Sequence, residues 1–201
     1  MARARHSGED ILDAAGYLLL ESGPRAATID AIAGASGAPK GSIYYRFKSR
    51  DEIFARLWIR AVERFQAELL AFADEDDPLE ATVSGALAVY DFCDRRRADA
   101  RLLLSFRQQD LWDEGVSEDL RKRLRDLNGP IARAHRAMAK RLYGDDGRRA
   151  RERLRRAVFD IPLGIAREHV TSDAPLPAGA RTDLERAVRA VLAASLDEGG
   201  D

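Results

Sequence analysis

The sequence contains one cysteine, and its three histidines are scattered along the chain. Cys93 alone cannot form an internal disulfide, and no group of Cys and His residues has the spacing of a zinc site. The core of this 201-residue chain must therefore be built by side-chain packing alone. We expect no metal and no other cofactor.

Long apolar runs are missing as well. No stretch of about 18 uncharged apolar residues occurs, so the sequence predicts no membrane-spanning helix and no membrane partner. The basic N-terminal residues lead directly into Gly8, Glu9 and Asp10, where a secretory signal would need an apolar segment. We therefore expect the protein to be cytoplasmic.

A large excess of charge of either sign is also absent. The 33 Lys and Arg residues are balanced by 34 Asp and Glu residues, which argues against a protein that coats nucleic acid regardless of sequence. Any DNA binding must be local. Between Asp30 and Asp51 the chain has no acidic residue, and its basic residues there are Lys40, Arg46, Lys48 and Arg50. This stretch is a candidate basic patch.

Signals for β-strands are scarce, because Val, Ile and Thr rarely alternate with polar residues. Apolar residues instead recur at intervals of three and four, which is typical of amphipathic helices. We predict an all-α fold. The predicted helices run from Ser7 to Gly23, Thr28 to Gly37, Lys40 to Phe47, Arg50 to about Ala73, Leu79 to Arg95, around Leu102 to Phe106, Leu120 to Met138 with a break or kink at Pro130, Arg148 to Val170 with a bend at Pro162, and Asp183 to Leu196.

Two short predicted helices meet at a tight turn between Gly37 and Pro39, which is the arrangement of a helix-turn-helix motif. The first turn of the second helix holds Lys40, Gly41 and Ser42 at the positive end of the helix dipole. Such an end can enter the major groove of DNA. Two helices at this spacing also occur as plain packing, without any DNA.

The remainder of this helix and the residues just after it supply hydroxyl groups and cations that can contact phosphates. They belong to Tyr44, Tyr45, Arg46, Lys48 and Arg50. One alternative is that a tyrosine ring packs inward and only its hydroxyl reaches DNA, and another is that Lys48 is merely solvated. We interpret Ile29, Ile32, Ile43 and Phe47 as core residues without a functional role.

The run TIDAIAGASGAPKGSIYYRFKSRDEIF, from Thr28 to Phe54, resembles the DNA-binding domain of the tetracycline-repressor (TetR) family. That family has a threonine-led helix, a turn glycine, and a recognition helix with a Lys-Gly-small-apolar-Tyr-Tyr-x-Phe pattern. The upstream run ILDAAGYLLLESG, residues 11–23, resembles the first helix of the family. The sequence departs from the usual pattern at Pro39, Arg46 and Arg50, where serine, histidine and lysine are usual.

The resemblance implies a role for ten residues. It places Thr28, Tyr44, Tyr45, Arg46, Lys48 and Arg50 near phosphates, and Pro39, Lys40, Gly41 and Ser42 near base edges. It also implies a helix-turn-helix DNA-binding domain over residues 1–50 and a helical ligand-binding and dimerisation domain over residues 51–201. The second domain fits the family only in length and number of helices.

A ligand pocket is expected where the break at Pro130 opens space between helices. Nearby residues that combine aromatic bulk with a few polar groups are Tyr90, Cys93, Phe106, Trp112, His135 and Met138. They predict a small, largely apolar effector with one or two hydrogen-bonding groups. The alternative is that they are ordinary core residues.

Two apolar stripes near the C-terminus predict a dimer interface that is a four-helix bundle. They consist of Leu154, Val158, Ile161 and Ile165, and of Leu184, Val188, Val191 and Leu192. The alternative is that both stripes complete the core of the monomer. A homodimer would present two recognition helices about 34 Å apart and would therefore bind a palindromic operator.

The sequence thus predicts a dimeric, sequence-specific DNA-binding transcriptional regulator, a repressor that a small molecule releases from its operator. We expect no enzymatic activity, because no His-Glu-x-x-His motif, nucleophile elbow or glycine-rich phosphate loop occurs. Two rival hypotheses are a ligand-independent or architectural DNA-binding protein and a helical enzyme that binds a small molecule. The first would show no ligand effect on DNA release, and the second would turn over a substrate.

Overall fold

The structure is a computed structural model that describes residues 7–112, 115–172 and 174–193. Within these ranges every regular element is helical, so the predicted all-α fold is confirmed. The helices are α1 (Gly8–Ser22), α2 (Ile29–Ser36), α3 (Lys40–Arg46), α4 (Arg50–Leu70), α5 (Pro78–Arg95), α6 (Arg97–Ser105), α7 (Gln108–Leu111), α8 (Glu118–Asp126), α9 (Gly129–Tyr143), α10 (Arg148–Arg155), α11 (Ile161–Ser172) and α12 (Ala180–Ala193).

The chain divides into two compact units. The first contains the residues up to Val62 together with Arg101–Leu127, and the second contains Glu63–Ala100 and the residues from Asn128 onward. By packing, residues 51–62 and Arg101–Leu127 thus belong with the N-terminal helices. The functional boundary predicted after residue 50 stays a prediction.

The first unit begins with a helix whose two ends follow from local sequence. The Ser7 hydroxyl accepts a hydrogen bond from the Asp10 amide at 3.1 Å, and the Asp10 carboxylate accepts one from the Ser7 amide at 2.8 Å. This reciprocal capping satisfies two amides that a helix start leaves free. Gly23 ends α1 with a φ of 77°, a left-handed angle that favours glycine.

The core of the first unit is built from the apolar faces of α1 to α4 and of α6 to α8. Its fully buried side chains include Ile11, Leu19, Ile32, Ile43, Ile53 and Phe54. Trp112 packs edge-on against Trp58, with ring centroids 6.3 Å apart. Helix α3 is therefore anchored on an apolar core although it has only two turns.

In the second unit, α5 is the central helix, and it packs against α9, α11 and α12. Asp77 caps its start by accepting hydrogen bonds from the Leu79 and Glu80 amides at 2.8 and 3.2 Å. Its buried face includes Val83, Val89, Tyr90, Phe92 and Cys93. Because α5 has neighbours on several sides, most of its apolar residues are covered.

The predicted break at Pro130 occurs as a separation into two helices. Helix α8 ends at Asp126, and α9 begins at Gly129 with Pro130 in its first turn. Proline is tolerated there because the first amides of a helix have no partner within the helix. The apolar pattern that predicted one kinked helix therefore runs through two consecutive helices, α8 and α9.

The predicted bend at Pro162 takes the form of a wide, π-helical turn at Arg156–Asp160, which joins α10 to α11. The amide of Ile161 bonds to the carbonyl of Arg156, five residues back. Pro162 has no amide to donate to Val158, and its ring crowds that carbonyl, so the regular ladder cannot continue unchanged. The predicted last helix starts earlier than expected, at Ala180, and its predicted end at Leu196 lies outside the described residues.

The two C-terminal stripes do not form one open surface. Five of their eight residues are buried within the single chain, namely Leu154, Val158, Leu184, Val188 and Leu192. They face inward because α12 and the π-helical turn pack on α5, and α10 packs on α9 and α12. Ile161, Ile165 and Val191 are half-buried. The five buried residues therefore agree with the alternative, in which the stripes complete the core of the monomer.

Candidate functional site

The site begins with the geometry of α2, the turn and α3. The Thr28 hydroxyl accepts a hydrogen bond from the Ala31 amide at 3.2 Å and so caps α2. At the other end, the Ser36 hydroxyl donates to the Ile32 carbonyl at 2.7 Å and accepts from the Ala38 amide at 3.3 Å. Gly37 has a φ of 68°, which reverses the chain direction within the turn. These local bonds define the helix-turn-helix.

Two buried side chains fix the rotation of α3. Ile43 is completely buried and Phe47, at the end of the helix, is 4% exposed. The Arg56 guanidinium lies 5.9 Å from the centre of the Phe47 ring and is paired with Glu52 at 2.7 Å. With Ile43 and Phe47 inward, the opposite side of α3 must face away from the core.

That outward side carries both tyrosines. Tyr44 is 55% exposed and Tyr45 is 87% exposed, so neither ring packs inward. The alternative that one of these rings belongs to the core is therefore wrong.

The cations of α3 and of the residues just after it differ in their surroundings. Lys40 Nζ lies 2.7 Å from Asp30 Oδ1, and this hydrogen bond together with the carboxylate charge raises the pKa of Lys40. Arg46 Nη1 donates to the Ser42 hydroxyl at 2.8 Å. Lys48 is exposed, and no acidic partner for its side chain is present among the described residues. All three remain at the surface, where phosphates can reach them.

Arg50, the fourth basic residue of the patch, is held in place by contacts within the first unit. It donates to the Pro24 carbonyl at 3.4 Å, and its guanidinium lies 5.4 Å from the centre of the Phe54 ring. It is half-buried, unlike Lys48. The hydroxyl of Thr28 is also engaged, because it caps α2. These two predicted phosphate contacts therefore have structural roles in the free protein.

The remaining predicted base contacts lie in the first turn of α3. Pro39 is the residue before the helix, Lys40 and Gly41 are exposed, and Ser42 is half-buried. A β-carbon built on Gly41 would meet no atom within 4 Å. The structure thus brings all ten predicted residues into one segment of the first unit. Sequence reasoning missed Asp30, although an acidic residue in the first turn of α2 is a readable signal.

The second unit contains a cavity of about 60 Å³. Its walls come from α4, α5, α9, α10 and the π-helical turn. The lining residues are Leu69, Leu70, Ala73, Ala81, Thr82, Gly85, Ile131, Ala134, His135, Met138, Leu154, Val158 and Phe159. Apart from Thr82 and His135, these side chains are apolar.

The structure does not bring the six predicted ligand residues together. His135 and Met138 line the cavity. Tyr90 and Cys93 are buried on α5 without lining it, and burial raises the pKa of the Cys93 thiol to about 11. Phe106 and Trp112 pack against the core of the first unit. The positions of these six residues in the sequence did not show which faces of their helices would pack against one another.

His135 is the main polar group of the cavity. Its Nε2 atom is buried and has no hydrogen-bond partner in the part of the chain that the structure describes. Burial lowers the pKa of His135, and the positive charges of Arg151 and Arg155 lower it further. The imidazole is therefore neutral near pH 7, and it can exchange hydrogen bonds without carrying charge.

Across residues 7–112, 115–172 and 174–193, no three His, Cys, Asp or Glu side chains are grouped so as to hold a metal ion. No helix in these ranges is long and apolar enough to cross a membrane.

Comparison with known proteins agrees with this architecture. Residues 11–57 match the sequence model of the N-terminal domain described as bacterial regulatory proteins, tetR family. No curated protein sequence matches the chain significantly. The matched segment covers α1 to α3 and the start of α4.

Solved structures match over nearly the whole chain. A TetR-like transcriptional regulator from Rhodococcus sp. RHA1 superposes with a TM-score of 0.70 at 20% identity, covering 97% of this chain and 100% of that one. PfmR, a TetR-family regulator from Thermus thermophilus, gives 0.68 at 20% identity, with 90% and 96% covered. The fatty acid degradation regulator FadR from Bacillus halodurans gives 0.67 at 17% identity, with 96% and 100% covered.

A helix-turn-helix whose second helix presents cations and hydroxyls, in an otherwise all-helical chain, supports a DNA-binding regulator. Residues 11–57 match the N-terminal DNA-binding domain of the TetR family of bacterial regulatory proteins, and the chain as a whole has the fold of the regulators it superposes on. The predicted recognition is thereby confirmed.

Proposed function

We propose that this protein is a dimeric transcriptional repressor that binds a palindromic DNA operator through α3 and releases it when a small molecule occupies the cavity of the second unit. As a regulator of transcription it would work in the cytoplasm and would need no catalytic activity. The observation that carries the proposal is the outward face of α3, which has features that its own unit does not use.

Gly41 is one such feature. Glycine inside a helix destabilises it by about 1 kcal/mol relative to alanine, and the space around Gly41 is open. Nothing in the unit therefore requires its lack of a side chain. A partner surface that approaches the backbone closely, such as the edge of a base pair, would require it.

The Gly41→Ala variant tests this role. It should fold with equal or higher stability and bind DNA selected from a randomised duplex library about tenfold or more weakly, the loss expected for one base contact. Gly34→Ala is the matched control, because Gly34 lies in α2 and a β-carbon there also meets nothing within 4 Å. Unchanged DNA affinity for Gly41→Ala would contradict the assignment of α3 as the recognition helix.

A second pair of variants tests the tyrosine hydroxyls. Tyr45→Phe removes one hydroxyl from a ring that is 87% exposed, and it should weaken DNA binding without changing thermal stability. Tyr17→Phe is the control, since Tyr17 is 65% exposed on α1. Equal DNA affinities for the two variants would argue against a phosphate contact at Tyr45.

Base readout and backbone contact can be separated by measuring preference as well as affinity. Lys48→Ala should weaken all DNA sequences alike and lower the salt dependence, as expected for loss of a phosphate contact. Ser42→Ala and Lys40→Ala should also alter the preferred bases. If all three variants lose affinity equally across the library, α3 does not read the bases.

Dimerisation is proposed because one short helix reads only a few base pairs, and two of them about 34 Å apart give useful specificity. The half-buried apolar residues Ile161 and Ile165 of α11 and Val191 of α12 are the part of the predicted stripes that remains available for a partner copy. The double variant Ile165→Asp with Val191→Asp should be a folded monomer with weak operator binding. A dimer that persists in sedimentation would place the interface elsewhere.

Control by a small molecule is proposed because the cavity is mostly apolar. Several helices that are far apart in the sequence of the second unit form its walls. An effector shifts DNA affinity only if it prefers one conformation of the dimer over the other. Met138→Trp should fill the cavity and abolish the response to an effector while changing DNA affinity less than about tenfold, some 1.4 kcal/mol. A DNA-bound state that no small molecule releases would favour the rival, a ligand-independent or architectural DNA-binding protein.

A further inference from the structure

The cavity of the second unit contains a polar group whose hydrogen-bonding needs its own residues do not meet. The Thr82 hydroxyl donates to the Pro78 carbonyl at 2.7 Å and is therefore satisfied. His135 Nε2 is buried, and no partner for it exists among the described residues. A buried nitrogen left in this state is unfavourable, which makes it an anchoring point for a polar group that enters from outside.

A strong positive charge surrounds the same part of the unit. Between Gly129 and Arg156 the chain has ten Lys and Arg residues and only three Asp and Glu residues, although the whole chain has a net charge of −1. Several of these cations are already neutralised. Arg155 pairs with Asp160 at 2.6 Å, and Arg148 pairs with Glu152 at 3.1 Å.

Arg151 differs from these neighbours. It precedes Leu154 by three residues and Val158 by seven, so it extends the stripe of α10 that lines the cavity. Its positive charge also contributes to lowering the pKa of His135, after burial. Arg151 is exposed, and its guanidinium has no acidic partner in the described part of the chain. An unpaired cation thus lies beside an apolar cavity.

We propose that the effector of this cavity is an anionic amphiphile, whose apolar chain occupies the cavity and whose head group binds Arg151 and His135 Nε2. The inference rests on the proposed function in taking this cavity as the effector site. A guanidinium forms paired, charge-assisted hydrogen bonds with carboxylate and phosphate oxygens alike. The shared chemistry is therefore an anionic oxygen head group on an alkyl chain, because the lining of the cavity is apolar apart from Thr82 and His135.

Binding to the full-length protein tests the head group. Octanoate, octyl phosphate, octanol and octylammonium share one chain length and differ in charge, and their affinities can be compared by calorimetry. At least one anion should bind about tenfold or more tightly than octanol, and octylammonium should bind most weakly. The stronger anion identifies the head group as a carboxylate or a phosphate. Equal affinities for anions and octanol, or no binding of any of the four, would overturn the proposal.

Variants assign the contact to one residue. Arg151→Gln should remove the advantage of the anion over octanol and leave octanol binding unchanged. Arg149→Gln is the matched control, because it lies on the opposite side of α10 and makes the same charge change. Met138→Trp should weaken the anion and octanol together, which locates the chain in the cavity. Equal losses for Arg149→Gln and Arg151→Gln would show general surface attraction and refute the assigned contact.

DNA release separates this inference from the proposed function. If the anion binds with the expected dependence on Arg151 but leaves DNA affinity unchanged, the site exists and the proposed effector control is wrong. If a neutral compound that competes for the cavity releases DNA while the anions do not bind, the control exists and the anionic head group is wrong.

Discussion

Lys40 of α3 and Asp30 of α2 form an ion pair with 2.7 Å between Nζ and Oδ1, across the two helices of the helix-turn-helix. Both side chains are more than half exposed, so the pair contributes little to folding. The ion pair instead affects the proposed DNA-binding surface of α3. The carboxylate raises the pKa of Lys40, and it also competes with DNA for the same cation.

Asp30→Asn should therefore bind DNA more tightly. The change frees Lys40 and removes a negative charge that repels phosphates, and we expect a gain of about two- to fivefold, the range for an exposed ion pair. Fluorescence anisotropy with a selected duplex at two salt concentrations measures it. Asp13→Asn is the control, since it makes the same charge change on α1, where Asp13 pairs with Arg60. Weaker binding by Asp30→Asn would mean that Asp30 positions Lys40 for DNA.

The turn of the motif makes opposite predictions for two nearby glycines. Gly37 has a left-handed φ of 68°, so Gly37→Ala should lower the free energy of unfolding by about 1 to 2 kcal/mol. Gly34 lies within α2 with open space around it, so Gly34→Ala should raise the free energy by about 0.5 to 1 kcal/mol. Urea denaturation measures both. Changes of the same sign would contradict the described turn.

The stability of the second unit should depend on the protonation of His135. Because burial and the charge of Arg151 lower its pKa in the folded protein, the unfolded chain binds the proton more readily. The stabilising contribution is complete above the ordinary value of 6.5 and is lost as the pH falls towards the folded pKa. His135→Leu lacks this titration, so its free energy of unfolding should fall less than that of the wild type between pH 7.5 and 5. Parallel curves would contradict the shift.

The burial of the C-terminal stripes within the single chain can be tested as well. Leu184 is fully buried in the single chain, so Leu184→Ala should cost about 2 to 5 kcal/mol at every protein concentration. Ile165 is half-buried, and Ile165→Ala should cost less in the monomer. If Ile165 lies in a dimer interface, the decrease in free energy of unfolding caused by Ile165→Ala will depend on protein concentration. A concentration-dependent loss at Leu184 would contradict its place in the monomer core.

The elements of the motif were predictable because each depends on residues a few positions apart. Ser7 with Asp10, Thr28 at the start of α2 and Gly37 at its end act within one turn of helix, so their residue types and spacing are sufficient. The exposure of Tyr44 and Tyr45 was left open by the sequence. It depends on the rotation of α3, which is set by contacts of Ile43 with the rest of the core.

The cavity and the stripes were less predictable for a related reason. A repeat of apolar residues shows that a helix has an apolar face, but it does not show what covers that face. Val158 and Leu184 are covered by the chain's own helices, and Phe106 and Trp112 pack in the first unit. Only His135 and Met138, of six predicted ligand residues, reach the cavity.

The sequence by itself therefore determined the helices, the position of the helix-turn-helix and the basic residues of α3, because local hydrogen bonding and periodicity suffice for these. Tertiary structure alone decided that Lys40 pairs with Asp30, and that His135 and Met138 line one cavity with Leu154 and Val158. Such contacts join residues on different helices, and their distances depend on how whole apolar faces pack together.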